Sequence, residues 1–170
     1  MKKWLFLILL FPLICVAQTY RYLGVEDGLS NRRVYCIQKD KTGYMWFLTH
    51  EGIDRYNGKE FKRYKLMDGD AEVNSLLNLN WLYIDQEGVL WEIGKKGKVF
   101  RYDQIHDCFS LVYKLPMESF SEQPDPVTYA WLDQNKHIWL CNKDTIFLYN
   151  TDTKQVTCFI DIEWVHGLNI

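Results

Sequence analysis

The chain has 170 residues, enough for one domain with a substantial core. Aromatic residues make up 16% of it, including seven Trp and eleven Tyr, and such richness in flat side chains suits pleated sheets better than helices. The net charge is −2, with acids and bases interspersed and no basic stripe, which excludes the electrostatic footprint of a nucleic-acid binder.

At the N-terminus, Lys2 and Lys3 precede the apolar run "WLFLILLFPLICVA". A charged start, an apolar stretch and small residues at the exit, with Cys15 at −3 and Ala17 at −1, predict a signal peptide over residues 1–17 and export to the periplasm. The run is too short for a comfortable membrane span. Acylation at Cys15 is the rival reading, and the bulky Ile14 just before it argues against that. Loss of residues 1–17 removes two Lys and no acid, leaving 18 Lys and Arg against 22 Asp and Glu, a net charge of −4. Residues 18–32 are expected to hold an N-terminal strand, "TYRYLG" from Thr19 to Gly24, and the lead-in to a first propeller blade. That strand is expected to belong to another blade and to be poorly paired here.

From residue 33 onward the chain repeats itself. "DKTGYMWFLTHEGIDRY" is followed by "DQEGVLWEIGKKGKVFRY" and by "DQNKHIWLCNKDTIFLY". The turn Asp falls at 40, 85 and 133, and Trp46, Trp91 and Trp139 keep the same intervals of 45 and 48. Tyr56, Tyr102 and Tyr149 stand 46 and 47 apart. Three landmarks in step, at this period and with β composition, are the mark of propeller blades. Each copy reads as four short strands, as in "VYCIQKD", "YMWFLTH", "IDRYN" and "FKRYKL", with Asn57-Gly58 supplying a hairpin turn. The expected fold is therefore all-β, a partial β-propeller of about three four-stranded antiparallel blades near 33–66, 78–115 and 127–163.

Each landmark has a chemical reading beside the structural one. Asp40 and Asp85, three residues before a Gly, could open a calcium loop, but no D-x-D-x-D-G series is present, and a side-chain-capped turn is the better reading. The three Trp could stack on sugars; recurrence at a central strand position favours packing between blades. The four His lack H-x-H or H-E-x-x-H spacing, so no metal site is expected. Cys36, Cys108, Cys141 and Cys158 have irregular spacing and read as buried free thiols rather than bridges. No cofactor-holding constellation or catalytic set can be assembled.

The segment from Gly28 to Tyr64 resembles the two-component regulator propeller repeat. Gly28-Leu29-Ser30, Asp40, Gly43, Trp46, Gly52, Arg55 and Tyr56 carry the resemblance. The second copy keeps Asp85, Gly88, Trp91 and Arg101-Tyr102; the third has Lys136 in place of the turn Gly and lacks the Arg before Tyr149. The turn is also similar to the Asp-box of sialidases, although its Asp-to-Gly step is three rather than two. The resemblance implies the N-terminal part of the periplasmic sensor of a hybrid two-component histidine kinase, whose full-length relatives are anchored in the inner membrane and detect polysaccharide breakdown products. The chain itself is then a truncated, noncatalytic piece without the kinase. Its expected partners are an oligosaccharide ligand, the remaining blades of a full-length sensor, and other copies of itself through open edges. The alternative is a fragment of an exported carbohydrate-active propeller enzyme, of lyase or sialidase type.

Strand order then places a binding face. The loop before each innermost strand and the loop between second and third strands share one end. That end collects Asn31, Arg32, Arg33, His50 and Glu51, then Asn78, Asn80, Lys95 and Lys96, then Asn142 and Lys143. Amides and cations there suit sugar hydroxyls or uronic-acid carboxylates. Arg32, Arg33 and His50 are the candidate ligand-binding residues.

Overall fold

The computed structural model describes residues 20–69, 71–73, 79–114, 127–142 and 145–159. After a single 3-10 turn, Val25–Asp27, they run through β1 (Val34–Lys39), β2 (Met45–Thr49), β3 (Gly52–Tyr56), β4 (Phe61–Tyr64), β5 (Leu66–Asp68), β6 (Ala71–Val73) and β7 (Leu79–Ile84). The rest are β8 (Leu90–Gly94), β9 (Lys98–Asp103), β10 (Cys108–Lys114), β11 (Tyr129–Leu132), β12 (His137–Cys141), β13 (Ile146–Asn150) and β14 (Val156–Phe159). Among the described residues no helix is long and apolar enough to cross a membrane. The predicted signal peptide, with Thr19, Asn78, Lys143 and residues 160–170, lies outside the described residues.

The chain is a partial propeller of three blades. β1 to β4 pair in order as the first antiparallel sheet, and β11 to β14 as the third. The second sheet contains the same meander, β7 to β10, but extends to six strands in the order β6-β5-β10-β9-β8-β7. That is a departure from three simple four-stranded units. "FKRYKL" is not one strand: β4 ends at Tyr64, and Leu66 crosses to pair in parallel with Phe109 on β10. The physical reason is burial, since Leu66 is 2% exposed in the core between the first two blades. β5 thereby covers the outer edge of the second blade, an edge that would otherwise offer unpaired backbone groups.

Strand alternation gives every blade two faces. Trp46, Leu48, Ile53 and Tyr64 of blade one pack on Leu82, Leu90, Phe100 and Phe109 of blade two. Trp91, Ile93 and Val99 of blade two pack in turn on Ala130, Ile138, Leu140, Phe147 and Tyr149 of blade three. Burying each such side chain contributes about 1.5–3 kcal/mol, so the two seams between blades are the core. Trp46 and Trp91 serve these seams, as expected, whereas Trp139 lies in neither and stacks on Phe159. Among the described residues Cys36, Cys108, Cys141 and Cys158 are free, as expected, but each is half-buried rather than buried.

The expected strand near Thr19 does not form in the described part. Tyr20–Gly24 has no strand pairing, and Tyr20 and Tyr22 are 81% and 92% exposed.

Candidate functional site

The lead-in end of blade one is built around a buried carboxylate. Gly28 ends the 3-10 turn at φ 105, a left-handed conformation that favours glycine, and its N–H donates to the Val25 carbonyl. The chain then buries Leu29 and delivers Ser30 to β3. The Ser30 N–H and hydroxyl both donate to Asp54 Oδ2, at 2.8 and 2.6 Å, and Ser30 Oγ lies 2.8 Å from Thr49 Oγ1. Asp54 is fully buried. Burial pushes its carboxyl up, against the Ser30 bonds and the Arg63 charge that pull it down. This latch presses the loop 31–33 against the turn between β2 and β3.

The three candidates share that end but differ in state. Asn31 Oδ1 accepts the Arg33 N–H at 2.8 Å, which shapes the loop as an Asx-turn. The His50 N–H donates to the Arg33 carbonyl at 3.0 Å, so Arg33 and His50 are brought together. His50 Nδ1 lies 2.9 Å from the Tyr35 hydroxyl. Arg32 turns the other way and pairs with Glu26 of the 3-10 turn at 2.6 Å. A backbone bond to Glu26, then the Arg32 bond and charge, hold that carboxyl below its ordinary value. Glu51 pairs with Arg63. Lys95 and Lys96 are exposed in the β8–β9 turn, where the Lys95 carbonyl accepts the Val127 N–H at 2.7 Å, and the Asn142 N–H donates to the Thr145 carbonyl. Asn80 lies in β7.

The larger hollow opens at the opposite end. A groove of about 650 Å³ between blades one and two is lined by Asp40, Thr42, Glu87, Arg101, Asp103 and Gln104. A smaller one of about 260 Å³ repeats it between blades two and three. The turn carboxylates beside these grooves are already engaged. Asp40 accepts from the Thr42 and Tyr44 N–H groups and from Trp46, and Lys41 reaches across to the Gln86 carbonyl. Among the described residues no group of His, Cys, Asp or Glu could hold a metal.

Two acids matter more than the sequence suggested. One is Asp54, which stands between the Gly52 and the Arg55-Tyr56 that carry the resemblance. The other is Asp107, in the β9–β10 turn at φ 50. It accepts from Tyr64 at 2.7 Å, from Tyr102 and from Lys62, with Arg55 at 3.4 Å. Burial raises its carboxyl, but those bonds and the Arg55 charge outweigh burial and hold it well below the usual range. Burial, then the Asp107 bond, pushes Tyr102 up to about 12. Asp107 therefore clasps blade two to blade one. Nothing at residue 107 marks this in the sequence, because its partners on blade one lie more than forty positions away.

The family described as Two component regulator propeller matches residues 28–51, the span from the Gly28 turn to Glu51. Residues 28–51 are thus similar to a two-component regulator propeller repeat. The extracellular domain assigned to the hybrid two component system BT3049 from B. thetaiotaomicron is 28% identical with a TM-score of 0.62, covering 82% of this chain and 20% of that one. The corresponding domain of BT4673 from the same organism is 21% identical with a TM-score of 0.61, covering 84% and 18%. The chain thus spans a small part of the length of either domain. Virginiamycin B lyase from Staphylococcus aureus, at 15% identity and TM-score 0.58 over 81% of this chain and 44% of that one, shares the fold alone. A comparison with curated proteins gave no match. The repeat's Gly28, Leu29 and Ser30 thereby gain a physical role, as turn, anchor and latch for the loop that carries Arg32 and Arg33.

Proposed function

We propose that this propeller arc is part of an exported, periplasmic ligand-sensing module of a two-component system, noncatalytic in itself. It meets an acidic, polysaccharide-derived oligosaccharide at the lead-in end of its blades. The observation that carries the reading is the match of residues 28–51 to the repeat, together with its fold-level likeness to extracellular domains of hybrid systems. Arg33 presents an exposed guanidinium next to His50, and a planar guanidinium suits a uronic-acid carboxylate through two parallel bonds. Arg32 joins by exchanging its Glu26 partner for the ligand, a small cost for an exposed ion pair. His50, steadied by Tyr35, meets a sugar hydroxyl.

The test is calorimetric titration of the purified chain with a tetragalacturonate and with a neutral tetrasaccharide. The acidic sugar should bind more tightly, lose affinity as salt rises, and lose most of it in the Arg32→Ala/Arg33→Ala/His50→Ala variant. Equal binding by that variant would move the site to another surface. Absence of binding to either sugar would remove the oligosaccharide reading.

A further inference from the structure

Arg55 and Arg101 hold the same place, one residue before the landmark Tyr of their blades, but they meet different neighbours. In the seam between blades one and two, Arg55 reaches Asp107, whose carboxylate also accepts from Tyr102 and Lys62. Strand register carries these places into the next seam. Phe109 pairs with Tyr102 and Val156 with Tyr149, so Lys154, two residues before Val156, stands where Asp107 does. Both take a left-handed backbone, at φ 50 and φ 59. Ser110, opposite Arg101, replaces the Lys62 that lies opposite Arg55. The second seam has therefore kept its arginine and its tyrosine and put a lysine in place of the carboxylate.

The result is a groove of about 260 Å³ whose donors lack an acceptor. Arg101 and Lys154 both line it, and neither has an ion pair among the described residues. The three acids beside them are already engaged. Asp85 accepts from Trp91, while Glu87 and Asp152 face Lys136 at 2.5 and 3.7 Å. Arg101 lies over the Trp91 ring at 5.8 Å, which keeps its guanidinium at the groove wall. Tyr149 is 1% exposed and stacks on Tyr113 at 4.5 Å, yet its hydroxyl has no hydrogen-bond partner among the described residues. The Thr151 hydroxyl is buried in the same wall and equally without one. Buried polar groups call for a partner, and two cations with two hydroxyls around one hollow are the complement of an anion.

We propose that the groove between blades two and three binds a small carboxylate, held by Arg101, Tyr149, Thr151 and Lys154 in the place that the Asp107 carboxylate takes in the neighbouring seam. The hollow falls below the roughly 300 Å³ at which ordinary ligand pockets begin, which limits the occupant to an acid of about monosaccharide size or less. The site lies at the turn end of the blades, away from Arg33 and His50.

Thermal unfolding of the purified chain at neutral pH, in sodium acetate against sodium chloride of equal ionic strength, tests this. A ligand that binds only the fold raises Tm. Acetate should raise it above chloride, because a planar guanidinium grips a carboxylate through two parallel bonds. Lys154→Asp supplies the carboxylate from within, so it should raise Tm by itself and abolish the response to acetate. Lys154→Asn tolerates the same backbone without the charge and should raise Tm less. In an Arg101→Gln background, the gain from Lys154→Asp and the response to acetate should both disappear. Equal Tm in acetate and chloride overturns the proposal. So does a Lys154→Asp chain that still responds to acetate, or a gain from Lys154→Asp that survives Arg101→Gln. Arg101 and Lys154 are exposed, and circular dichroism confirms that the variants are folded. Tyr149→Phe, which removes only the hydroxyl, should likewise weaken the acetate response and serves should Arg101→Gln fail to fold.

Discussion

Trp46 Nε1 donates to Asp40 Oδ2 at 2.7 Å, and this indole-to-carboxylate bond recurs in each blade. Trp91 reaches Asp85 at 3.0 Å and Trp139 reaches Asp133 at 2.9 Å. The other oxygen of each Asp accepts two backbone N–H groups of its turn, as it does from Glu87 and Val89 at Asp85. The constant six-residue step from Asp to Trp is thus a bond between a turn and the strand leaving it. Asp85 is the most enclosed of the three, at 8% exposure.

Asp85→Ala should therefore cost about 2–3 kcal/mol, because it strands the Trp91 indole and two turn N–H groups away from water. Urea denaturation with intrinsic fluorescence reads the shift. A loss below about 0.5 kcal/mol, the ordinary surface value, would mean that the turn holds its shape without the carboxylate.

The same carboxylates set an acid limit. Burial raises Asp40 and Asp133, but their hydrogen bonds outweigh it and leave both below the ordinary 3.8. A carboxyl depressed in the fold contributes stability that is present above its unfolded value and is lost as pH falls through the folded one. Denaturation midpoints should accordingly fall below about pH 4, and Asp40→Asn/Asp133→Asn should flatten that slope. An unchanged slope in the double variant would assign the acid transition to other groups.

Ser30→Ala removes the hydroxyl that satisfies Asp54 and touches Thr49, while keeping the backbone bond. A buried acceptor losing one of two donors predicts a cost of about 1–2 kcal/mol. The loss should be local, since Leu29 and the 3-10 turn detach with the loop. Limited proteolysis is the measurement, with faster cleavage between residues 24 and 33 expected and the β7–β10 region unchanged. Equal protection in the variant would show that Leu29 alone anchors the segment.

Blade count, strand order and the Trp seams were legible because a repeat writes the same local physics three times. The third turn shows how far the landmarks tolerate change: Lys136 adopts φ 60 where the other copies use glycine, and its ammonium bonds Glu87 of the neighbouring turn. Features occurring once were not legible. The crossing of Leu66 to β10 breaks what alternation reads as one strand, because burial in a seam outweighs continuity. Asp107 and Asp54 look like ordinary loop and strand acids until distant donors are placed around them. At the candidate site the sequence grouped Arg33 with His50, but not the Glu26 that pairs with Arg32.

Arg55 tests whether the clasp between blades depends on guanidinium shape. It lies over Tyr44 at 4.6 Å, over Tyr64 at 5.2 Å and over Trp46 at 5.4 Å, and donates to the Tyr102 hydroxyl at 3.0 Å. A flat cation stacks and donates at once, whereas an ammonium does one or the other. Arg55→Lys should cost about 1–2 kcal/mol although charge is conserved. A double-mutant cycle with Asp107→Asn should show coupling, and additive effects would mean that Arg55 acts only through stacking.

The opposite sign of pH dependence belongs to Glu92. It sits in β8 across from Leu82 and Phe100, fully buried, and among the described residues neither carboxyl oxygen has a hydrogen-bond partner. Blade one places Phe47 at the equivalent position, one residue after the turn Trp. Burial alone pushes the Glu92 carboxyl well above its ordinary 4.5. An acid raised in the fold contributes most below its unfolded value, and that contribution is lost as pH rises from there towards the folded one. Glu92→Leu removes both the unpaired polar group and the titration, and should stabilise the chain at neutral pH by about 2 kcal/mol. The gain should shrink near pH 4, where the carboxyl is largely neutral in both states. Urea midpoints of both proteins at the two pH values decide the matter: a destabilised variant, or a gain independent of pH, would mean that Glu92 is ionised and paired in the fold.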